Sequence, residues 1–434
     1  MNDLATRLNA TIKESNPFIY DMMSDLGRRL YYPKGILSQS AEANKKATRF
    51  NATIGIATEK SIPMHYQHIQ NKLEGFEPED VYPYAPPDGK KELRTAWREK
   101  LLRENPSLQN KSFSLPIVTN ALTHGLSLAA DMFVNPNDTI VVPDKFWGNY
   151  TTIFHVRRGG NLVTYKTFNE EEKFNTTALR DCLLKQKSAG KAIVLLNFPN
   201  NPTGYTPDEE QMEKIISVLY EAAEEQINLV VVIDDAYFGL FYENSVKESL
   251  FGRLACLHPR ILPIKIDGAT KESFVWGLRV GFITFAAEHP NLLDALEQKT
   301  KGLIRGTISS SSHLSQTIIL QSLQSKEYEI EKKAKFEIMK SRAMKVKKLL
   351  NLDRYQELWS YYPFNSGYFM CLKLKEVNAE KLRQHLLEEY RVGTIALNAT
   401  DLRIAFSSVE EEDLAELFEL IYKGTKDLTQ IENL

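Results

Sequence analysis

Short apolar runs alternate with segments of helical periodicity between residues 117 and 285, and this alternation constrains the fold more than any other feature of the chain. The runs at 192–196 and 229–233 are apolar without interruption, which is typical of strands covered by helices on both faces. Alternating strands and helices predict an α/β fold with a mainly parallel sheet. The predicted strands are residues 117–119, 139–143, 161–166, 191–198, 229–234, 260–266 and 280–285.

The chain has a different pattern on either side of this region. Residues 1–50 are polar and predict helical pieces interrupted near Pro17 and Pro33. After residue 303, long helical patterns precede a mixture of strands and helices, which predicts a second domain of the α+β type. The predicted domains are an N-terminal segment at 1–62 that contributes to the small domain, a large domain at 63–325, and a C-terminal small domain at 326–434.

The composition argues against several classes of function. The formal net charge of −2 over 434 residues leaves no basic excess to neutralise phosphates, so we do not expect a nucleic-acid partner. The three cysteines are scattered, which predicts a reducing, cytoplasmic location and neither a disulfide framework nor a metal site. The N-terminus does not resemble a signal peptide, and no apolar run approaches the roughly 18 residues of a membrane span.

Four predicted strand ends carry residues with chemical potential. They are Trp147 after the second strand, Asn201-Pro-Thr-Gly after the fourth, Asp234-Asp-Ala-Tyr at the end of the fifth, and Lys271 with Arg279 on the loop between the last two. Ligands of parallel sheets bind at the carboxyl ends of strands. We therefore expect these residues to converge on one site.

Each of these residues also has an ordinary explanation. A lysine chosen at random lies on the surface, Asn201-Pro-Thr-Gly is a turn signal by itself, and Asp235 has the residue type of a helix N-cap. A carboxylate as deep as Asp234, however, requires a cation or strong donors. A lysine that is buried or close to another cation becomes a nucleophilic amine. The order of the four motifs along the chain favours the functional explanation.

The four motifs, in this order, resemble the signature of pyridoxal-phosphate-dependent enzymes of fold type I, the class I/II aminotransferases with the aspartate aminotransferase fold. The resemblance covers residues 54–422 and rests on Asn201-Pro-Thr-Gly, Asp234-Asp-Ala-Tyr and Thr270-Lys-(x)7-Arg-x-Gly. It implies a large domain with a mainly parallel seven-stranded sheet flanked by helices, and a smaller α+β domain built from both chain ends.

The resemblance implies a role for each residue around the cofactor ring. Lys271 would hold pyridoxal phosphate as an internal aldimine and then move a proton between substrate and cofactor. Asp234 would pair with the pyridine nitrogen, and Trp147 would stack on the ring face. Tyr237 and Asn201 would hydrogen-bond the phenolate oxygen of the ring. The catalytic residues implied in this way are Lys271, Asp234 and Tyr237.

The resemblance also implies how the phosphate is held. Arg279 and Thr270 would contact it beside Lys271. The turn that opens the helix after the first strand would supply backbone N–H groups and a hydroxyl, from Ala121, Leu122 and Thr123. Tyr84, on a loop rich in proline and glycine, would reach the phosphate of a neighbouring subunit, which implies a homodimer with shared active sites.

Substrate recognition follows the same resemblance. Arg403 would pair with the α-carboxylate of an amino acid, with Asn201, Trp147 and Gly55 close to the substrate. Arg305 would enter the partner subunit's site and read a distal carboxylate, as in aspartate or glutamate, although a surface role for Arg305 is the alternative.

Several positions depart from the family pattern, among them Ala121-Leu122, which replaces a turn that commonly contains glycine or serine. Gly268 stands three residues before Lys271, where the family often has a phosphate-binding serine. Tyr150 stands where aspartate aminotransferases often have a histidine that supports the buried aspartate. These departures leave the subfamily and the substrate open.

The implied activity is transamination. A ping-pong mechanism would exchange the α-amino group between an L-amino acid, either acidic or aromatic, and a 2-oxo acid such as 2-oxoglutarate. Two alternatives stay open: a lyase or synthase that uses the same cofactor, for example in the β-elimination of a sulfur amino acid, and a non-catalytic sensor that binds the cofactor.

Overall fold

The largest sheet of the protein has seven strands, numbered along the chain. The computed structural model describes residues 2–15, 23, 25–29, 36–53 and 55–432. Every predicted strand of this sheet is present, and no strand end is displaced by more than one residue. The strands are β1 (Ile117–Asn120), β2 (Thr139–Pro143), β3 (Asn161–Tyr165), β4 (Lys191–Asn197), β5 (Asn228–Asp234), β6 (Ile261–Asp267) and β7 (Val280–Phe285).

The order of the strands brings the predicted site residues to one edge. The sheet runs β1-β7-β6-β5-β4-β2-β3. Strand β7 is antiparallel to its neighbours β1 and β6, whereas the other pairs are parallel. The carboxyl ends of six strands and the amino end of β7 therefore lie at the same edge. The prediction of a mainly parallel sheet is confirmed.

Helices flank the large sheet, since successive residues of its central strands are buried on both faces. Helix Lys91–Glu104 buries Leu93, Trp97 and Leu101, and the Trp97 ring stacks on Phe282 of β7 with the ring centroids 4.1 Å apart. The α-helices are Asp3–Ser15, Asp25–Arg29, Ile36–Lys46, Gln67–Gln70, Pro78–Val81, Lys91–Glu104, Ala121–Phe133, Thr176–Leu184, Glu209–Glu224, Leu250–Leu254, Ala269–Glu272, Pro290–Thr307, His313–Leu323, Tyr328–Leu350, Asp353–Gln356, Ala379–Glu389 and Leu414–Glu432.

A second, antiparallel sheet has four strands from the C-terminal part of the chain. Residues near the N-terminus lie beside it: Phe50–Asn51 pairs in parallel with Val392–Gly393 in a separate two-stranded sheet, and the Ala52 carbonyl accepts a hydrogen bond from the Ala405 N–H of the four-stranded sheet at 2.9 Å. The N-terminal segment thus runs beside the strand that carries Arg403. The strands of this sheet, in spatial order, are Trp359–Tyr361, Phe369–Leu374, Asp401–Ala405 and Ile395–Ala396.

Three local features differ from the sequence-based expectations. Lys271 lies in a one-turn helix, Ala269–Glu272, and not on an open loop. An 18-residue helix that was not predicted, Pro290–Thr307, carries Arg305; it begins with a proline, a residue that suits the first turn of a helix. Residues 58–59 and 62–63 form a small hairpin that was not predicted.

Some expectations concern residues outside the described ranges, namely the breaks at Pro17 and Pro33 and the residue Ile54. None of the helices that the structure describes combines the length and apolar character required to cross a membrane. Within those same residues, no cluster of histidine, cysteine or acidic side chains is arranged to hold a metal ion.

Candidate active site

A cavity of about 300 Å³ lies at the sheet edge where the strand ends meet. Strand ends and loops of the large sheet form most of its wall, and the small sheet contributes Phe369 and Arg403. The lining residues are Gly55, Ala121, Leu122, Thr123, Trp147, Asn197, Asn201, Asp234, Ala236, Tyr237, Thr270, Lys271, Trp276, Arg279, Phe369 and Arg403. All the predicted site residues except Tyr84 and Arg305 are among them.

Lys271 is a partly buried amine with an anchored backbone. Its Nζ lies 5.3 Å from the centroid of the Tyr237 ring. The Tyr368 hydroxyl donates a hydrogen bond to the Lys271 carbonyl at 2.9 Å. Burial lowers the pKa of Lys271 to about 8; the carboxylate of Asp234 opposes this shift and the cation of Arg279 adds to it. A useful fraction of the side chain is therefore a neutral, nucleophilic amine near neutral pH.

Asp234 ends β5 and is 5% exposed. Its Oδ2 accepts a hydrogen bond from the Tyr150 hydroxyl at 2.6 Å, and its Oδ1 accepts one from the Ala236 N–H at 3.1 Å. Burial raises the pKa of Asp234, while these donors and the charge of Lys271 act in the opposite direction. The carboxylate thus has the strong donors and the nearby cation that its depth requires.

Asn197 joins the ends of β4 and β5. Its Nδ2 donates to the Asp234 carbonyl at 2.7 Å, and its Oδ1 accepts from the Asn201 N–H at 2.7 Å. Tyr237 is 5% exposed, and burial raises its pKa, so the hydroxyl stays protonated. A neutral hydroxyl and two amides can orient a ligand without adding charge.

Arg403 is a buried cation at the wall formed by the small sheet. Its side chain is 2% exposed; Nη1 donates to Asn201 Oδ1 at 3.0 Å and Nη2 donates to the Thr53 carbonyl at 2.9 Å. The guanidinium lies 4.2 Å from the Phe369 ring centroid. Burial lowers the pKa of Arg403 to about 10, so it is charged at neutral pH. Its Nε has no partner within the described chain, and the cation therefore favours an anionic ligand.

The opposite end of the cavity offers a second anion site. Helix Ala121–Phe133 begins there, and the backbone N–H groups of a helix's first turn have no partner within the helix. Arg279 lies across from it on an exposed side chain whose Nη1 donates to the Trp276 carbonyl at 3.3 Å. No described carboxylate forms an ion pair with Arg279.

Two glycines allow the backbone to close tightly around this second site. A Cβ on Gly281 would lie 2.7 Å from the carbonyl carbon of Ala121, and a Cβ on Gly268 would lie 2.6 Å from the Val280 carbonyl oxygen. Both distances are shorter than any real carbon contact allows. The glycine at 268, which departs from the family pattern, is therefore required because the backbone of β7 lies directly against it.

Comparison with known families agrees with this geometry. The model of the family described as aminotransferase class I and II matches residues 70–421. The chain belongs to this family. It is a pyridoxal-phosphate-dependent aminotransferase, and the expectations of fold, enzyme class and cofactor are confirmed.

Three similar proteins illustrate the family. A probable aspartate/prephenate aminotransferase of Aquifex aeolicus is 25% identical over 355 residues, which is 80% of this chain and 84% of the relative. A crystal structure of an aminotransferase from Anaerococcus prevotii has a TM-score of 0.84 at 21% identity and covers 93% of this chain and 99% of its own. A kynurenine aminotransferase of Pyrococcus horikoshii has a TM-score of 0.79 at 16% identity and covers 94% and 98%.

The donor set of this aminotransferase fits pyridoxal phosphate. The helix start at Ala121, the Thr270 hydroxyl and the Arg279 cation would hold the phosphate. The buried carboxylate of Asp234 would face the pyridine nitrogen, and Lys271 would face the aldehyde. Each ionisable group of the cofactor therefore has an oppositely charged or hydrogen-bonding partner in the cavity.

The remaining predicted residues take different positions. Trp147 is half-buried at the cavity wall and contacts Tyr150 edge to face, with the ring centroids 5.7 Å apart. Tyr84 is 92% exposed, and Arg305 is exposed with its guanidinium hydrogen-bonded to Ser309. Neither Tyr84 nor Arg305 lines the cavity of its own chain.

One expectation about the motif after β5 is wrong. Asp235 does not cap a helix: its carboxylate forms a buried ion pair with Lys265 of β6 and accepts a hydrogen bond from the Ser249 hydroxyl at 2.5 Å. The adjacent strand supplies the cation because residues 234 and 266 are in register across β5 and β6. Asp235 is thus a structural neighbour of the site.

Four lining residues were not among the predicted site residues, namely Asn197, Ala236, Trp276 and Phe369. Asn197 directly precedes a predicted motif at a strand end, and that position was a signal for its role. Trp276 lies between Lys271 and Arg279, so its position was also available. Nothing in the sequence marks Phe369, because its contact with Arg403 depends on the pairing of two strands far apart in the chain.

Proposed function

We propose that this aminotransferase exchanges the α-amino group between an L-amino acid, either acidic such as aspartate or glutamate or else aromatic, and a 2-oxo acid such as 2-oxoglutarate in a ping-pong reaction. One observation carries the proposal: Lys271 and Asp234 share a cavity with two arginines, Arg279 and Arg403, that pair with no carboxylate of the described chain. Two free cations suit two anions, the phosphate of the cofactor and the α-carboxylate of the substrate.

The side chains of the cavity would have separate roles in the proposed reaction. When bound, pyridoxal phosphate supplies an electron sink for the bond that breaks at the substrate α-carbon. Asp234 would hold the protonated ring nitrogen of the cofactor, and the Tyr150 hydroxyl keeps this carboxylate in place. Lys271 would hold the cofactor through its aldehyde, and its amine would take up the α-proton of the substrate. Its lowered pKa suits a group that must lose and regain a proton near neutral pH.

Two further parts of the proposal concern the assembly. We propose a homodimer in which Tyr84 and Arg305 reach the site of the partner subunit, Tyr84 at the phosphate and Arg305 at the distal carboxylate of the substrate. Their exposure in the single chain supports this arrangement. We also propose that residues 1–62 and 326–434 form one small domain around the large domain at 63–325, and that the enzyme is cytoplasmic.

Absorbance spectroscopy tests the central proposal. The purified protein should show the visible band of the lysine-bound cofactor, and L-glutamate or L-aspartate should convert it to the pyridoxamine form. Lys271→Ala should abolish the band. An unchanged spectrum in that variant would remove Lys271 from its role. Release of pyruvate and ammonia would favour a lyase, and a cofactor band that no amino acid alters would favour a sensor.

The substrate class is tested at Arg305. Arg305→Leu should weaken kcat/KM for L-aspartate and L-glutamate far more than for L-phenylalanine, because only a distal carboxylate loses a charge partner. The aromatic substrate serves as the internal control. Equal losses with all three substrates would place Arg305 outside the substrate pocket.

A further inference from the structure

Lys145 and Asp401 form an ion pair that the proposed reaction does not use. Lys145 belongs to the loop after β2, two residues before Trp147, and Asp401 begins the small-domain strand that carries Arg403. Lys145 Nζ lies 2.7 Å from Asp401 Oδ2. The Lys145 side chain is 13% exposed and that of Asp401 is fully buried. The pair thus links two separate parts of the cavity wall.

The groups around the Asp401 carboxylate stabilise its charged form. Besides Lys145, its oxygens accept hydrogen bonds from Asn398 Nδ2 at 2.8 Å and from the hydroxyls of Tyr362 and Thr400 at 3.0 Å each. Lys145 Nζ also lies 4.9 Å from the ring centroid of Tyr362. Buried ion pairs often contribute little net stability relative to apolar residues, so stability alone is a weak reason for this construction.

The ion pair belongs to a closed ring of contacts between the two domains. The Lys145 carbonyl accepts a hydrogen bond from Asn200 Nδ2 at 3.1 Å. The next residue, Asn201, accepts from Arg403 Nη1 at 3.0 Å. Arg403 and Asp401 are two apart on one strand, so their side chains leave the same face of it. Displacing Lys145 from Asp401 would therefore move the guanidinium relative to its amide partner.

The space beside the pair lies between the two domains, and stacking of Phe168 on Tyr362, with the ring centroids 5.8 Å apart, bridges it. A cleft of about 630 Å³ lies there, and both Lys145 and Tyr362 line it. Its walls come from the large domain around residues 166–175 and from the small domain around residues 360–363. A direct ionic contact at the inner edge of this cleft opposes any opening between the Trp147 loop and the Arg403 strand.

We propose that the Lys145–Asp401 ion pair is a positioning pair that holds Arg403 in the orientation required to bind the α-carboxylate of both substrates. This inference rests on the proposed transamination. The phosphate of the cofactor would be held by other residues, at the far end of the cavity. Loss of the pair should therefore raise KM for amino acid and 2-oxo acid alike.

The test compares Lys145→Met with the wild-type enzyme and measures KM for L-glutamate with the 2-oxo acid of aspartate as the acceptor, and KM for 2-oxoglutarate with L-aspartate as the donor. KM for both should rise roughly tenfold, with a smaller change in kcat and an unchanged visible cofactor band. Asp401→Asn should have a similar effect. Lys145→Arg keeps the cation and should restore KM to within about threefold of the wild-type value.

Two further variants separate positioning from folding. Lys166→Met is the matched control: Lys166 lines the same cleft and forms no ion pair with a described residue, so its KM values should not change. The double variant Lys145→Met/Asp401→Asn leaves no unpaired buried charge and should still show the raised KM, even if a single variant folds poorly.

The outcomes are distinct. A folded Lys145→Met or double variant with KM values within about twofold of wild type would overturn the positioning role, whatever its melting temperature. A rise for only one of the two substrates would also contradict it, since both present the same carboxylate. If L-glutamate fails to convert the cofactor band of the wild-type enzyme, the proposed transamination itself is wrong and the inference falls with it.

Discussion

The two arginines of the cavity differ in burial and in the contacts that hold them. Arg403 is 2% exposed and is held by a side-chain amide and a backbone carbonyl on two different segments. Arg279 is exposed, and among the described residues its side chain hydrogen-bonds only the carbonyl of Trp276, three residues earlier in the chain. The Arg403 guanidinium is therefore held in one orientation before a ligand binds, whereas the Arg279 side chain can change its conformation.

This difference in burial implies that the two arginines contribute to anion binding in different ways. A buried, oriented guanidinium has already lost its hydration and its rotational freedom, so a planar carboxylate gains the full value of two parallel hydrogen bonds. An exposed guanidinium stays hydrated, so it attracts an anion by its charge but does little to orient it. Backbone N–H groups at the start of helix Ala121–Phe133 would orient the anion instead.

The largest expected effect is at the buried arginine. Arg403→Lys keeps the charge but loses the fork, and we expect kcat/KM for L-glutamate to fall about 100-fold or more, because two charge-assisted hydrogen bonds are affected. The cofactor band should not change. Arg354→Lys, outside the cavity, is the control. A loss below about fivefold would show that the substrate carboxylate binds elsewhere.

A smaller effect, on a different quantity, is expected at the exposed arginine. Arg279→Gln should raise the dissociation constant of pyridoxal phosphate roughly 30-fold, since one charged hydrogen bond is lost. With saturating cofactor, KM for L-glutamate should stay near the wild-type value. Arg260→Gln, another exposed arginine, serves as the control. If Arg279→Gln instead raises KM for L-glutamate and leaves the dissociation constant of pyridoxal phosphate unchanged, Arg279 binds the substrate and not the cofactor.

Lys271 should make the rate of cofactor binding depend on pH, and this dependence tests the effect of the neighbouring Arg279 cation. The Lys271 pKa of about 8 means that the neutral amine, which is the reactive form, increases roughly tenfold between pH 7 and pH 9 and then levels off. The rate at which the cofactor-free protein captures pyridoxal phosphate should follow this curve. In Arg279→Gln the midpoint should move upward, because a neighbouring cation is removed. A rate that still climbs steeply above pH 10 would indicate an ordinary lysine.

The smallest effect is expected at Tyr150, which contacts neither anion. Tyr150→Phe removes the hydroxyl that donates to Asp234 at 2.6 Å, and kcat should fall about fivefold. Cofactor affinity and KM should change little, in contrast to the arginine variants. A stopped-flow measurement of the half-reaction separates this effect from product release. A loss as large as that of Arg403→Lys would assign Tyr150 a direct role in the chemistry.

Much of the site could be predicted because its residues lie at the ends of strands. Apolar runs mark the strands, so Lys271, Asp234 and Asn201 were identified from their positions after such runs. Their convergence follows from the parallel arrangement of the strands. The exposed positions Tyr84 and Arg305 were predicted only through the family resemblance, and their roles stay predictions.

The rest of the site depends on contacts between distant parts of the chain. Lys145 and Asp401 are 256 residues apart, and no local pattern indicates that they meet. Asp235 was expected to cap a helix because the sequence does not show that Lys265 lies beside it in the neighbouring strand. The reason for glycine at 268 is likewise a steric contact with Val280 of β7.

The sequence by itself determined the alternation of strands and helices and the residue types at the strand ends, since periodicity and motif order are local properties of the chain. Only the tertiary structure decided which charges are buried, which are paired and which stay free for ligands. Burial and pairing depend on packing across the sheet and between the domains. Arg403 shows the difference: the sequence indicated the residue, and the fold made it a buried cation without a carboxylate partner among the described residues.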